Sequence, residues 1–186
     1  FRNSLSNNVS NEEAIELSYY GASVIHPKTL QPLQRKEIPL YVKSFLNPTK
    51  SGTSIGKDLK LKPNVPCFIL REKQVLISLS SMDFSYMVED NISHIFKLLH
   101  SHKMKVHLIQ NSAISFSVCI ENTFNNLNEL ILKLKAKYNI VLHDKVSIYT
   151  IRNYDNDSIT KIEKDKLVLI KQITPKTIHI VTKSSS

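Results

Sequence analysis

The sequence predicts an α+β fold in which amphipathic helices cover an antiparallel sheet. Three observations lead there. The middle of the chain alternates period-two and helical apolar patterns in the order strand, helix, strand, strand, helix, strand. Turn-forming residues gather between Asn47 and Pro66, where two of the three glycines lie, and set that unit apart from what precedes it. The tail then starts the same order again and stops before completing it.

In the first segment, Asn11–Tyr20 reads as a helix. Ser10 or Asn11 can cap it, Glu12 and Glu13 suit the positive end of its dipole, and Gly21 can end it. Val24-Ile25-His26-Pro27 is a turn entry, with His26 expected to satisfy a backbone carbonyl. Thr29–Arg35 is a second short helix whose start Pro32 limits. Ile38–Ser44 is a strand, with Pro39 near its beginning where a missing N–H is tolerated. Asn47–Thr53 is turn chemistry, and a domain boundary is expected within Lys57–Pro66.

In the second segment, Gln74–Ser80 is a strand. Asn91–Ser101 is a helix with Ile92, Ile95, Phe96 and Leu99 on one face and Asp90 or Asn91 as cap. Val106–Ile109 and the alternating Ile114–Ile120 are strands. Leu127, Leu130, Ile131 and Leu134 form a second helical stripe, and Ile140–Leu142 a short strand. This βαββαβ order is the ferredoxin-like unit. The tail offers a strand at Val146–Ile151, a helical stretch at Asp157–Glu163, and strands at Leu167–Ile170 and Thr177–Val181. Its second helix and fourth strand are missing, and Cys67–Leu70 is expected to donate the missing strand.

Composition bounds the function. The 186 residues allow one domain plus a piece of another, and 41% hydrophobic content suffices for a core. The formal charge of +9 comes from lysines interleaved with acids, without tryptophan or an arginine-rich stripe. Solvated faces are therefore favoured over nucleic-acid binding. No apolar run approaches bilayer length and no signal-peptide h-region follows Phe1, so neither a membrane nor a secreted location is expected. Cys67 and Cys119 sit among apolar residues, as buried free thiols of a reducing cytoplasm would. The histidines lack acid or cysteine partners at ligand spacing, so no metal site is expected.

Glu13-Ala14-Ile15-Glu16-Leu17-Ser18-Tyr19-Tyr20-Gly21-Ala22-Ser23-Val24-Ile25-His26-Pro27-Lys28-Thr29 resembles a stretch near the end of the aspartokinase kinase domain. Ile38-Pro39-Leu40-Tyr41-Val42-Lys43-Ser44-Phe45-Leu46-Asn47-Pro48, followed by Ser51-Gly52-Thr53, resembles the continuation in the same order. The resemblance implies three parts: residues 1–58 as the end of an amino-acid kinase domain, 66–145 as a ferredoxin-like ACT regulatory domain, and 146–182 as a truncated second ACT repeat completed by strand 67–70. It implies a parent enzyme that phosphorylates L-aspartate with ATP and Mg²⁺ to 4-phospho-L-aspartate, for lysine, threonine and methionine biosynthesis. The family's Lys-Phe-Gly-Gly-Thr-Ser motif is not in this chain. It is therefore expected to be inactive alone, with no catalytic residue of its own and no bound cofactor.

Carried over residue by residue, the resemblance places nucleotide contacts at Lys43, Asn47 and Lys50, although the position expected to hold lysine is Leu46. It places an amino-acid effector against Ser81, Met82, Asp83 and Ser85 of the first-strand loop, and against Val106, His107, Gln110, Asn111 and Ser112. Lysine-responsive members carry acids where this chain has His107 and Ala113, so a lysine ammonium would depend on Asp83 or a partner chain. Threonine needs only hydroxyl and amide partners. A homodimer through ACT sheet edges is expected. The alternative is a stand-alone ACT-type module that binds an amino acid or a partner protein.

Overall fold

The computed structural model describes residues 8–21, 25–57, 59, 65–83 and 85–184. The expected domain boundary therefore falls mostly outside the described residues, as do Ala22, Ser23 and Val24 of the kinase-like motif and Phe84 of the effector loop. The fold is mixed α+β. Its elements are β1 (Asn8–Ser10), α1 (Asn11–Tyr20), α2 (Pro27–Arg35), β2 (Leu40–Val42), β3 (Thr53–Gly56), β4 (Cys67–Ser81), α3 (Glu89–Ser101), β5 (Lys105–Asn111), β6 (Ser115–Glu121), α4 (Leu127–Lys135), β7 (Tyr138–Arg152), α5 (Asn156–Glu163), β8 (Lys166–Ile173) and β9 (Thr177–Ser184). A small sheet has the order β1-β3-β2 and a larger one the order β5-β6-β4-β7-β9-β8.

The chain divides into two compact units: residues 1–70 with 149–164 and 170–180, and residues 71–148 with 165–169 and 181–186. In the second unit β5-β6-β4-β7 is the strand order of a βαββαβ domain. β4 pairs antiparallel with β6, Val75 facing Ile120 and Ser80 facing Ser115. Period-two side chains put Val75, Ile77 and Leu79 on one face with Phe116, Val118 and Ile120. Ile95 and Leu99 of α3, Leu130 and Leu134 of α4, and Tyr138 close the core over them. α3 begins at Glu89, earlier than expected: Val88 is the cap position, and Asn91 reaches back so that its Oδ1 accepts from the Val88 N–H at 3.3 Å. His102 ends the helix, its ring Nδ1 2.7 Å from the Leu98 carbonyl.

In the first unit, β3 is the centre of the small sheet, parallel to β1 and antiparallel to β2. Val9, Ala14, Leu30 and Ile55 form its core. Ser10 caps α1 by accepting from the Glu13 N–H at 3.1 Å, and Gly21 ends it at φ 118°, where a side chain would be strained. α2 starts two residues before its expected beginning, at Pro27, and contains Pro32 within it. His26 caps it through Nδ1, which accepts from the Lys28 N–H at 3.2 Å, so it serves an amide and not the carbonyl expected of it. In the larger sheet β4 lies beside β7, then β9, then β8, so β4 occupies the place of a fourth strand next to the tail repeat. Asp155 and Ser158 cap α5 reciprocally, at 2.7 and 3.0 Å.

Two strands run longer than their apolar patterns suggest. Cys67–Leu70 and Gln74–Ser80 are one strand, β4. Ile140–Leu142 and Val146–Ile151 are likewise one strand, β7. Each long strand has a residue at positive φ in its course, Lys73 at 57° and Lys145 at 53°.

Candidate functional site

The expected effector residues fall into two places within residues 71–148. Ser81 closes β4, and the loop after it folds on itself. Ser81 Oγ donates to Asp83 Oδ1, Ser85 N–H donates to the same oxygen at 3.1 Å, and the Ser81 and Ser85 hydroxyls lie 2.8 Å apart. These bonds hold the Asp83 carboxyl well below the usual carboxylate range. Met82 is exposed, and the loop ends at the buried Met87. The Met87 N–H donates to the Ala113 carbonyl at 2.9 Å, fastening the loop to the β5–β6 turn. That turn is built by Ser112, whose N–H donates to the Ser115 carbonyl at 2.9 Å and whose hydroxyl lies 2.7 Å from that of Ser115. Gln110 and Asn111 lead into it, both exposed.

Val106 and His107 lie elsewhere. They are near the start of β5, where Val106 pairs with Ile120 of β6, about 13 Å along the sheet from Asn111, which pairs with Phe116. His107 is the extra residue of a bulge between Val106 and Leu108. Its Nε2 is 3.0 Å from Glu121 Oε2. Burial lowers its pKa, with Glu121 partly opposing. The structure therefore joins Ser81, Asp83 and Ser85 to the turn at Ser112 and leaves Val106 and His107 outside that group.

Lys43, Asn47 and Lys50 are exposed on the β2–β3 connection. Two successive turns shape it: the Asn47 N–H donates to the Ser44 carbonyl and the Lys50 N–H to the Asn47 carbonyl, both at 3.2 Å. Gly52, at φ +69°, lets the chain pass Val42, since a Cβ there would stand 2.5 Å from the Val42 carbonyl oxygen. Among the described residues no cluster of His, Cys, Asp and Glu suits a metal ion, and no helix is long and apolar enough to cross a membrane. Phe116 is buried beneath α3 and α4, so it offers no base-stacking face.

One cluster in the first unit was not anticipated. Arg152, at the end of β7, grips Glu13 of α1 with two parallel bonds, Nε to Oε1 at 3.0 Å and Nη2 to Oε2 at 2.5 Å. Its Nη1 donates to Thr177 Oγ1 at 2.6 Å. The two charged side chains are only 10% and 11% exposed. Glu16 approaches Nη1 at 3.9 Å. Nearby, the Tyr20 ring lies 4.9 Å from that of His179, whose Nδ1 is 2.9 Å from Thr150 Oγ1. A cavity of about 380 Å³ opens beside the pair, lined by Ser10, Glu12, Ile15 and Lys176 among others. Cys67 is half-buried and its thiol is pushed up by burial and then by the Glu13 carboxylate. Cys119 is buried, its thiol pushed up to about 12 by desolvation. Neither thiol is poised to react.

The βαββαβ unit, followed by a second repeat, defines the class: an α+β fold of the ACT kind. Comparison makes it specific. No protein-family profile matches the chain. It is 33% identical over 97 residues to lysine-sensitive aspartokinase 3 of Escherichia coli, a match covering 52% of this chain and 21% of that protein. Its fold is that of the aspartate kinase of Clostridium acetobutylicum, with TM-score 0.81 and 16% identity over 98% of this chain and 46% of that one. A C-terminal regulatory domain of aspartate kinase from Porphyromonas gingivalis shares the fold at TM-score 0.53 and 13% identity, over 64% of this chain and 87% of that domain. The chain is similar in sequence to aspartokinases over part of its length and shares the fold of their C-terminal region. It spans about a fifth of the length of its E. coli relative.

Proposed function

We propose that this chain senses an amino acid on behalf of an aspartokinase, the enzyme that phosphorylates L-aspartate with ATP, and that it does so as a homodimer. The observation that carries the reading is the Met87–Ala113 hydrogen bond, which fastens the 81–88 loop to the 112–115 turn. The resemblance expects the effector there. Loop hydroxyls and the amides of Gln110 and Asn111 are partners for a small polar amino acid. The relative named as lysine-sensitive supports lysine, whereas Asp83 spends one carboxylate oxygen inside its own loop. Threonine fits these groups with fewer unpaired charges. The nucleotide and Mg²⁺ of the parent reaction would meet this chain only at the Lys43–Lys50 loop, so no turnover is expected from it alone.

Titration calorimetry on the chain with L-lysine, L-threonine and L-methionine tests the reading, with light scattering for the dimer. Saturable binding of threonine or lysine is expected. Asp83→Ala should weaken it about tenfold, because the loop loses its organising acceptor. No heat with any of the three would overturn it.

A further inference from the structure

We infer that α1 is a latch, a helix held on β7 and β9 by a polar seam that opens as a unit, with the Glu13–Arg152 pair as its fastening. Glu13, Glu16 and Tyr20 fall at i, i+3 and i+7, one stripe of α1. Opposite them stand Thr150 and Arg152, two apart on β7, and Thr177 and His179, two apart on β9, so each pair shares a sheet face. Polar and aromatic contacts run along this seam: the forked Glu13–Arg152 pair, Glu16 near Nη1, and Tyr20 against His179. The alternate residues Ile151, Ile178 and Ile180 are buried and belong to the other face. The one fully buried apolar side chain of α1 is Ala14, which packs with Val9, Leu30 and Ile55 of the small sheet.

A seam of this composition separates differently from an apolar one. Each group that parts company can be hydrated, so opening does not expose a large apolar surface. The fork is also directional: Arg152 holds both Glu13 oxygens or neither, which makes release cooperative. Lysine cannot replace it, because an ammonium has no fork. The inference rests on this geometry and not on effector binding. On the aspartokinase reading α1 lies in the kinase-like segment, which would make the latch a point where the second repeat holds that segment.

Hydrogen exchange by mass spectrometry on the full 186-residue chain near neutral pH tests it. Glu13→Gln and Arg152→Lys should each speed exchange across residues 11–20 by about tenfold while β6 keeps its protection. The swap Glu13→Arg with Arg152→Glu should bring exchange back to within roughly threefold of the parent, since the partners are exchanged and not lost. The latch is overturned if exchange of residues 11–20 is unchanged in both single variants, or if β6 loses protection in step with them. A variant that does not fold counts as that second outcome. It is overturned equally if the swap is no slower than the worse single variant. Calorimetry on the same variants separates this failure from that of the effector reading.

Discussion

Two of the helix covers in this chain are made of opposite materials. In residues 71–148, α3 and α4 press Ile95, Leu99, Leu130 and Leu134 onto Val75, Ile77, Phe116 and Val118, all buried and all apolar. In the other unit, α1 meets β7 and β9 through Glu13, Glu16 and Tyr20 on one side and Arg152, Thr177 and His179 on the other. The first cover is non-directional and its strength scales with the area removed from water. The second depends on a few atoms at fixed distances. One is suited to keeping a domain folded, the other to being undone without unfolding it.

The largest effect should come from breaking the apolar cover. Phe116→Ala removes a ring that is 1% exposed and should cost about 3–5 kcal/mol in urea unfolding, with Leu134→Ala at about 2–5 kcal/mol. A loss under 1 kcal/mol for both would mean that this core does not carry the unit. Breaking the polar cover should cost less globally. Arg152→Met leaves the Glu13 carboxylate buried without its partner, a loss of about 3 kcal/mol. The double Glu13→Leu with Arg152→Met removes both charges and should unfold at higher urea than Arg152→Met alone. Should the double variant be the weaker of the two, the seam would be held by something other than the ion pair.

Much of the fold was legible because its determinants are local. Ile92, Ile95 and Leu99 repeat at helical spacing, Phe116, Val118 and Ile120 alternate, and Ser10 and Gly21 bracket α1 in sequence as they do in space. β3 was hidden because Thr53-Ser54-Ile55-Gly56 is short and follows Asn-Pro and Ser-Gly turn chemistry. It is a strand because β1 and β2 pair with it on either side. β7 reads as two strands because Leu142 and Val146 are separated by His143, Asp144 and Lys145, polar residues that interrupt the apolar alternation without ending the strand. Of the candidate site residues, Ser81, Asp83 and Ser85 come together beside the turn at Ser112, where local loop chemistry could be read from the sequence. Val106 and His107 lie further along β5, because position along a strand decides which end of a sheet a residue serves. The Glu13–Arg152 pair spans 139 residues, and no spacing rule connects them. One signal was present: Arg152 is one of only four arginines, with Arg2, Arg35 and Arg71, in a chain that otherwise uses lysine. A planar fork retained against that habit marks a bidentate contact.

The smallest expected effect is on pH, and it sharpens the comparison because each unit holds a half-buried histidine whose pKa burial lowers. His179 faces Tyr20 and Glu16 of α1 and Arg152 and Thr150 of β7. Burial lowers its pKa below the ordinary 6.5, Arg152 lowers it further, and Glu16 opposes. The seam therefore holds the ring neutral, and the opened state binds the proton more readily. The stability contributed is full above 6.5 and falls as the pH drops through that value towards the lower folded one. His107 shifts in the same direction, through burial beside Glu121 in the other unit, so a global melt would mix the two. Exchange of residues 11–20, corrected for the intrinsic rate, should speed by roughly threefold between about pH 7.5 and about pH 5.5. His179→Gln should abolish that acceleration and His107→Gln should leave it intact. If instead His107→Gln removes it, acid acts through the apolar unit and the polar seam is not the pH-sensitive one.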